Sequence, residues 1–250
     1  MKGSRDLAFS WISDGPASHH PAMLRSVLLA ISSLAMLWAW TTEAGLFLLA
    51  WCGLLRIGEA FAAKRHDLIL PIDGAPGLQC VLVRISTPKT RGRTARHLSA
   101  RIDQADVVEF LTVVFGRLQP DQSLWPMSSS TLRKRLNLLQ AALGMPTARS
   151  HEICPFDLGS FRPGGATDLL QQFEHSELVR RGGRWVSNKV LEIYLQEVST
   201  ATFHTKLSVD TRKKIEKLST AFTDIRRQCQ NFILADIPTI AWRHLWSTPA

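Results

Sequence analysis

Between Ser26 and Thr42 the chain runs seventeen residues without a charge, SVLLAISSLAMLWAWTT; after Glu43 a second uncharged run, AGLFLLAWCGLL, reaches Leu55. A segment this apolar either crosses a membrane or forms the interior of a globular domain. A spanning helix needs about 20 apolar residues, with roughly 17 as the lower bound, so the first run barely qualifies and the second falls short. Joining the two would place Glu43 near the bilayer centre, at a cost of roughly 2.5–3.5 kcal/mol. The first run is also patterned. Leu24, Val27, Ile31, Leu34 and Trp38 step by threes and fours, as do Phe47, Trp51 and Leu54 in the second, which places each set on one face of a helix. Two buried core helices are therefore predicted, at about 21–40 and 43–64. A membrane-associated helical protein built on residues 26–55 is the competing reading. No signal peptide fits, because some twenty polar, His- and Pro-containing residues precede the apolar run.

After the second helix the period changes. Segments starting at Asp67, Gln79 and Arg96 are short and rich in β-branched residues, with turn signals at Asp73-Gly74, Pro76-Gly77 and Arg91-Gly92. They predict a small antiparallel three-stranded sheet. Helical periodicity returns at about 103–117 and 131–143, the latter after Ser128-Ser129-Ser130, which offers N-cap oxygens. Further helices are expected at about 163–173, 176–182, 187–198 and 208–235. In the last, Ile215, Leu218, Phe222, Ile225, Cys229 and Phe232 form a stripe that either packs on its own domain or binds a partner. The expected fold class is mainly α with a small antiparallel three-stranded β-sheet. The expected organisation is a loose lead-in at 1–20, one domain over 21–200, and a C-terminal helix and tail over 201–250.

Composition narrows the chemistry. Thirty Lys and Arg against twenty-one Asp and Glu give a net charge of +9 over 250 residues, which favours a polyanionic partner, nucleic acid before a membrane surface. Cys52, Cys80, Cys154 and Cys229 lie far apart, without metal-ligand or C-x-x-C spacing, so free thiols and no structural metal are expected. No phosphate-binding loop, dinucleotide-binding glycine pattern, zinc-hydrolase motif or nucleophile elbow occurs. Aromatic usage is lopsided: eight Trp and eleven Phe, but one tyrosine, Tyr194.

Four segments carry candidate chemistry. GLLRIGE (53–59) ends the second predicted helix with an arginine and an acid. Pro88-Lys89-Thr90-Arg91-Gly92-Arg93 is a basic turn between strands, inside a stretch, 84–101, that holds six Lys or Arg and no acid. SFRPGGATD (160–168) places Pro163 at the first turn of a helix. GGRWVSNKVLEIYLQEV (182–198) sets Trp185 nine residues before Tyr194, with Tyr194 about two turns into the predicted helix.

In this order the four segments resemble the tyrosine recombinase (phage integrase) family, over roughly residues 22–200, its catalytic domain. The resemblance implies that Arg56 is the first catalytic arginine and Glu59 the acid supporting it. Lys89 would be the hairpin lysine, Arg162 the second arginine of the H-x-x-R motif, Trp185 the His-or-Trp residue, and Tyr194 the nucleophile. It implies attack of tyrosine on a DNA phosphodiester, giving a 3′-phosphotyrosine and a free 5′-hydroxyl that another strand later reverses, with no cofactor. Two forked, permanently charged guanidiniums suit the charge that builds on the non-bridging oxygens. Lys89 would protonate the leaving oxygen, Trp185 would donate its indole N–H to the phosphate, and Arg84, Arg91, Arg93 and Arg96 would meet the double-stranded DNA backbone.

The chain departs from the family pattern at Gly159, where the motif's histidine belongs. This departure resembles the eukaryotic mobile-element variants of the family. Tyrosine ionises near pH 10, so a base typically contributes about 10²–10⁴ in rate, and glycine supplies none. His151 and Asp157 lie nearby in sequence. The family's N-terminal core-binding domain is also expected, yet only about twenty residues precede the first helix, so another chain would supply it or the sequence is a fragment. Relatives send a helix after the tyrosine to a neighbouring protomer, which leads to the expectation of a homo-oligomer on DNA, with 208–235 as the exchanged element. Two functional expectations stand: strand cleavage and rejoining, or a non-catalytic DNA-binding remnant. Either implies residence in a nucleus or nucleoid.

Overall fold

The computed structural model describes residues 20–74, 77–86, 98–148, 154–192 and 194–247. The lead-in up to residue 19, the basic turn with Lys89, Arg91, Arg93 and Arg96, and His151 lie outside the described residues. The first apolar run forms α1 (Arg25–Leu37) and the second forms α2 (Thr41–Cys52). Both sit inside the protein: Val27, Ile31, Phe47 and Leu48 are fully buried. No helix among the described residues is long and apolar enough to cross a membrane. Glu43, buried in the first turn of α2, is paired with Arg135. The Arg135 guanidinium lies 5.0 Å from the ring of Trp40 and 5.7 Å from that of Trp125. The one charge interrupting the apolar stretch is thus neutralised inside the domain, as a buried carboxylate must be.

The second helix stops earlier than its apolar pattern suggests. Gly53 caps α2, Leu54 takes a left-handed backbone at φ 47°, and the chain restarts as α3 (Ile57–Ala62). Arg56 therefore begins a helix instead of ending one. The cause is local: Glu59, in the first turn, accepts the Arg56 backbone N–H at 2.9 Å, taking up one of the donors a helix start leaves open. Then come β1 (Leu68–Ile69), β2 (Val81–Ile85) and β3 (Leu98–Ile102), an antiparallel sheet in that spatial order. Leu68 pairs with Val83, and Val83 with Ala100. Alternation along β2 turns Val81, Val83 and Ile85 inward and Arg84 outward.

The remaining elements are helical: α4 (Ala105–Phe115), α5 (Ser129–Leu143), α6 (Phe161–Phe173), α7 (Ser176–Gly182), α8 (Asn188–Glu192), α9 (Glu197–Phe203), α10 (Val209–Thr220), α11 (Phe222–Leu234) and α12 (Thr239–Ser247). Ser128 caps α5 as expected, its Oγ accepting the Thr131 N–H at 3.2 Å. Two predicted helices are divided. The one over 187–198 becomes α8 and α9, with Tyr194 in the turn between them. Thr167 sits against the break: its hydroxyl, which donates to the Pro163 carbonyl at 2.9 Å, accepts the Gln196 N–H at 3.3 Å and lies 3.4 Å from the Tyr194 carbonyl. The one over 208–235 divides at Ala221 into α10 and α11.

The apolar stripe of α10 and α11 faces its own chain. Ile215, Phe222, Cys229 and Phe232 are buried in the core. Both helices pack along α1, and α11 also packs along α4. Arg226 of α11 reaches Glu109 at 3.0 Å, and Ser33 of α1 donates to the Leu218 carbonyl at 3.0 Å. Within the chain, then, the stripe of 208–235 covers its own domain.

Candidate active site

The site is built where the start of α3, the start of α6 and the segment from α7 to Tyr194 meet. Its scaffold begins with the RPGG run. Pro163 fits the first turn of α6 because it needs no N–H partner there. A Cβ on Gly164 would stand 2.2 Å from the Met23 carbonyl oxygen, and one on Gly165 2.2 Å from the Trp51 carbonyl oxygen. The two glycines let α6 lie backbone to backbone against α2 and the entry to α1, and this seats Arg162 inside the protein at 4% exposure.

Arg162 anchors one nitrogen: Nη2 donates to the Gly183 carbonyl. Its guanidinium carbon lies 4.7 Å from the Trp185 ring and 5.6 Å from the Tyr194 ring, and those two rings are 5.0 Å apart. Among the described residues, Arg162 Nε and Nη1 and the buried Trp185 Nε1 have no hydrogen-bond partner. Arg56 enters from α3, half-exposed, with Nη1 donating to Glu59 Oε1 at 2.8 Å. Glu59 is the carboxylate on which the cluster turns. Its Oε2 also accepts from Nη2 of Arg184 at 2.9 Å, in an ion pair with both side chains nearly inaccessible.

Arg184 was not foreseen from the sequence. It binds the carbonyls of Gly53 and Leu54 at 3.3 and 3.0 Å, locking the end of α2 to the segment carrying Trp185. Leu54 and Arg184 both adopt left-handed backbone, at φ 47° and 60°, so non-glycine strain falls on the two residues joined by this bond. The available signal was Arg184's position between a Gly-Gly pair and Trp185.

Three guanidiniums around one carboxylate leave an excess of positive charge. Burial, with the Arg56 and Arg184 charges beside it, pulls the Arg162 guanidinium down to about 9, still charged at neutral pH. Burial alone would raise the Glu59 carboxyl, but Arg184, the Arg56 N–H and guanidinium, and Arg162 together hold it below its ordinary value. Positive charge and open buried donors of this kind are features that an anion can satisfy.

Of the residues expected from sequence, the structure gathers Arg56, Glu59, Arg162, Trp185 and Tyr194. Arg84 is exposed on β2 and shares a shallow cavity with Glu59, Asp67 and Ser86, so the strand leading into the basic turn ends beside the cluster. Gly159 lies just before α6, three residues ahead of Arg162.

No protein-family model matches the sequence, and no curated protein matches it in sequence. Among solved structures, the chain matches XerH site-specific recombinase bound to its difH substrate in a pre-cleavage complex, with a TM-score of 0.50. The fold is tyrosine-recombinase-like. The identity is 15%, and the match covers 75% of this chain and 54% of the recombinase chain. The chain thus spans about half the length of that protein, and the likeness is one of architecture: a mostly helical recombinase-like domain with a three-stranded antiparallel sheet.

Proposed function

We propose that this chain binds DNA and cleaves and rejoins a strand of it, as a site-specific recombinase with Tyr194 as nucleophile. One observation carries the reading: Arg162, buried and charged, keeps two donors open beside the sole tyrosine of the sequence. The +9 charge and the recombinase-like fold support DNA as the polyanion.

In this mechanism Arg56 and Arg162 hold the non-bridging oxygens of the scissile phosphate, and Trp185 Nε1 adds a third donor. Their charge grows more effective as negative charge builds in the transition state, which is where preorganised donors lower a barrier. The Tyr194 oxygen forms a bond to phosphorus as the bond to the 5′-oxygen breaks, and Lys89 supplies that oxygen's proton. The phosphotyrosine conserves the bond energy, so a second strand's 5′-hydroxyl can reverse the step without ATP. Glu59 and Arg184 keep the two catalytic arginines aimed. Arg84, Arg91, Arg93 and Arg96 meet the DNA backbone. Assembly of several copies on DNA, in a nucleus or nucleoid, belongs to the same reading.

Gly159 favours a second reading, a DNA-binding remnant that no longer cuts. A nicked suicide substrate separates the two. The cutting enzyme traps a covalent protein–DNA adduct that survives denaturing electrophoresis and vanishes in Tyr194→Phe. A wild-type protein that folds and binds DNA yet gives no adduct leaves the remnant. An adduct that persists in Tyr194→Phe removes Tyr194 as the nucleophile.

A further inference from the structure

Gly159 is not empty space. A Cβ built on it would fall 2.6 Å from Cγ and Cδ2 of His20 and 2.7 Å from its Nδ1. An imidazole from the segment ahead of α1 lies over this glycine, and all three of the nearest atoms a side chain would meet belong to it. The ring is held by chemistry that fixes its tautomer. Nδ1 lies 2.8 Å from Asp157 Oδ2, and the other carboxylate oxygen of Asp157 accepts the Gly159 N–H at 2.8 Å. A carboxylate partner keeps the proton on Nδ1 and leaves Nε2 as the basic nitrogen. The His20 backbone is tied as well: its carbonyl accepts from Gln196 Nε2 at 2.8 Å, and Gln196 Oε1 accepts the Ala22 N–H at 3.0 Å. Gln196 lies two residues beyond Tyr194, and its N–H donates at 3.3 Å to the Thr167 hydroxyl, which lies 3.4 Å from the Tyr194 carbonyl. His20 and the tyrosine turn are therefore parts of one hydrogen-bonded unit. His20 thus stands over the residue three before Arg162.

We propose that His20, oriented by Asp157, is the proton acceptor for Tyr194, supplied from 139 residues ahead of the glycine it covers. The inference rests on the strand-cleavage reading above. In the step, the Tyr194 O–H proton passes to His20 Nε2 as the tyrosine oxygen bonds to phosphorus. The 5′-oxygen leaves with a proton from Lys89, and the imidazolium is stabilised by the Asp157 carboxylate. Rejoining returns the proton from Nε2 to Tyr194. Among the described residues, the charged group bonded to the His20 ring is Asp157, while the neutral Gln196 amide, from the turn before α9, holds the His20 backbone carbonyl. Gly159 is then the residue that makes room for a histidine arriving from elsewhere.

The test measures the rate of covalent adduct formation on the suicide substrate, with DNA binding and thermal unfolding recorded for every variant. His20→Asn keeps a donor for Asp157 but has no basic nitrogen. The expected result is a loss of about 10²- to 10⁴-fold in adduct rate with binding retained. Moving the imidazole in the double variant His20→Ala with Gly159→His restores most of the rate, because His20→Ala removes the three atoms nearest the new Cβ. A rate within threefold of wild type in His20→Asn overturns the proposal, as does a loss that neither the double variant nor added imidazole recovers. A wild-type protein that forms no adduct at all removes the cleavage reading and this one with it. A Tyr194-dependent adduct indifferent to His20 removes this one alone.

Discussion

At the scale of single residues, Glu59 has the largest task. It accepts from Arg56 and Arg184 and offsets part of the charge on Arg162, all with its own side chain almost inaccessible. Removing one member of a buried ionic group costs about 3–5 kcal/mol, because the partners stay behind uncompensated. Glu59→Gln is nearly isosteric and should lose stability of that order at pH 7, measured by urea unfolding. The pH dependence carries a sign. The folded-state carboxyl is held below its ordinary value of 4.5, so its contribution is fully present above that value and fades as pH falls through the folded pKa. The gap between wild type and Glu59→Gln should therefore narrow as the medium is made more acid than pH 4.5. A gap that is the same at pH 7 and in acid means the carboxylate's charge is not what holds the cluster. Arg56, Glu59, Arg162, Trp185 and Tyr194 were legible in the sequence because each falls in a short motif. Arg184 and His20 were not, since their partners lie more than a hundred residues away and no local pattern records the contact.

At the scale of elements, the site depends on how closely α6 seats against α2. Trp51 and Gly165 approach so nearly that one added methyl group would overlap a backbone carbonyl, which cannot rotate away. Overpacking a fitted contact costs about 1–3 kcal/mol and is relieved by moving the helix. Gly165→Ala should thus lower the melting temperature and, by shifting the start of α6, carry Arg162 off its bond to the Gly183 carbonyl. Thermal unfolding checks the first effect and adduct rate the second. A variant with the wild-type melting temperature and rate would mean the two backbones do not need this approach. The same elements explain why boundaries were misjudged. The apolar pattern runs through Gly53 and Leu54 without interruption, and a leucine gives no warning that it will turn left-handed. Tyr194 sits on a pattern that reads as helix, yet the Gln196 N–H beyond it turns to the Thr167 hydroxyl of another element. Periodicity matched the alternation of the sheet and part of the α1 stripe, but Trp38 on that stripe is exposed and α2 is buried all round; nor does periodicity record tertiary hydrogen bonds that cut a helix.

At the scale of the whole molecule, the question is whether the C-terminal helices are an appendage or part of the core. A stripe of apolar residues on a helix gives the same sequence pattern in both cases, so the pattern alone left two partners open. Within this chain the stripe packs on its own domain. Ile215, Phe222, Phe232 and Trp242 are 1–4% exposed and close one side of α1, the helix formed by the long apolar run. Burying a large apolar side chain is worth about 1.5–3 kcal/mol, so these four alone contribute roughly 6–12 kcal/mol. That is comparable with the whole stability of a typical domain, about 5–15 kcal/mol. Deleting residues 209–250 should then leave a chain without cooperative unfolding, with α1 exposed and prone to aggregate, as read by circular dichroism and a heating scan. An exchanged arm would give the opposite result: a truncated monomer with an intact, cooperatively melting core. The point mutant Phe232→Ala keeps the chain length and should still lose about 3–5 kcal/mol, the usual cost of emptying a buried aromatic site. A truncated protein that melts as sharply as the full chain, or a Phe232→Ala variant of unchanged stability, would return these helices to the role of an arm for another subunit.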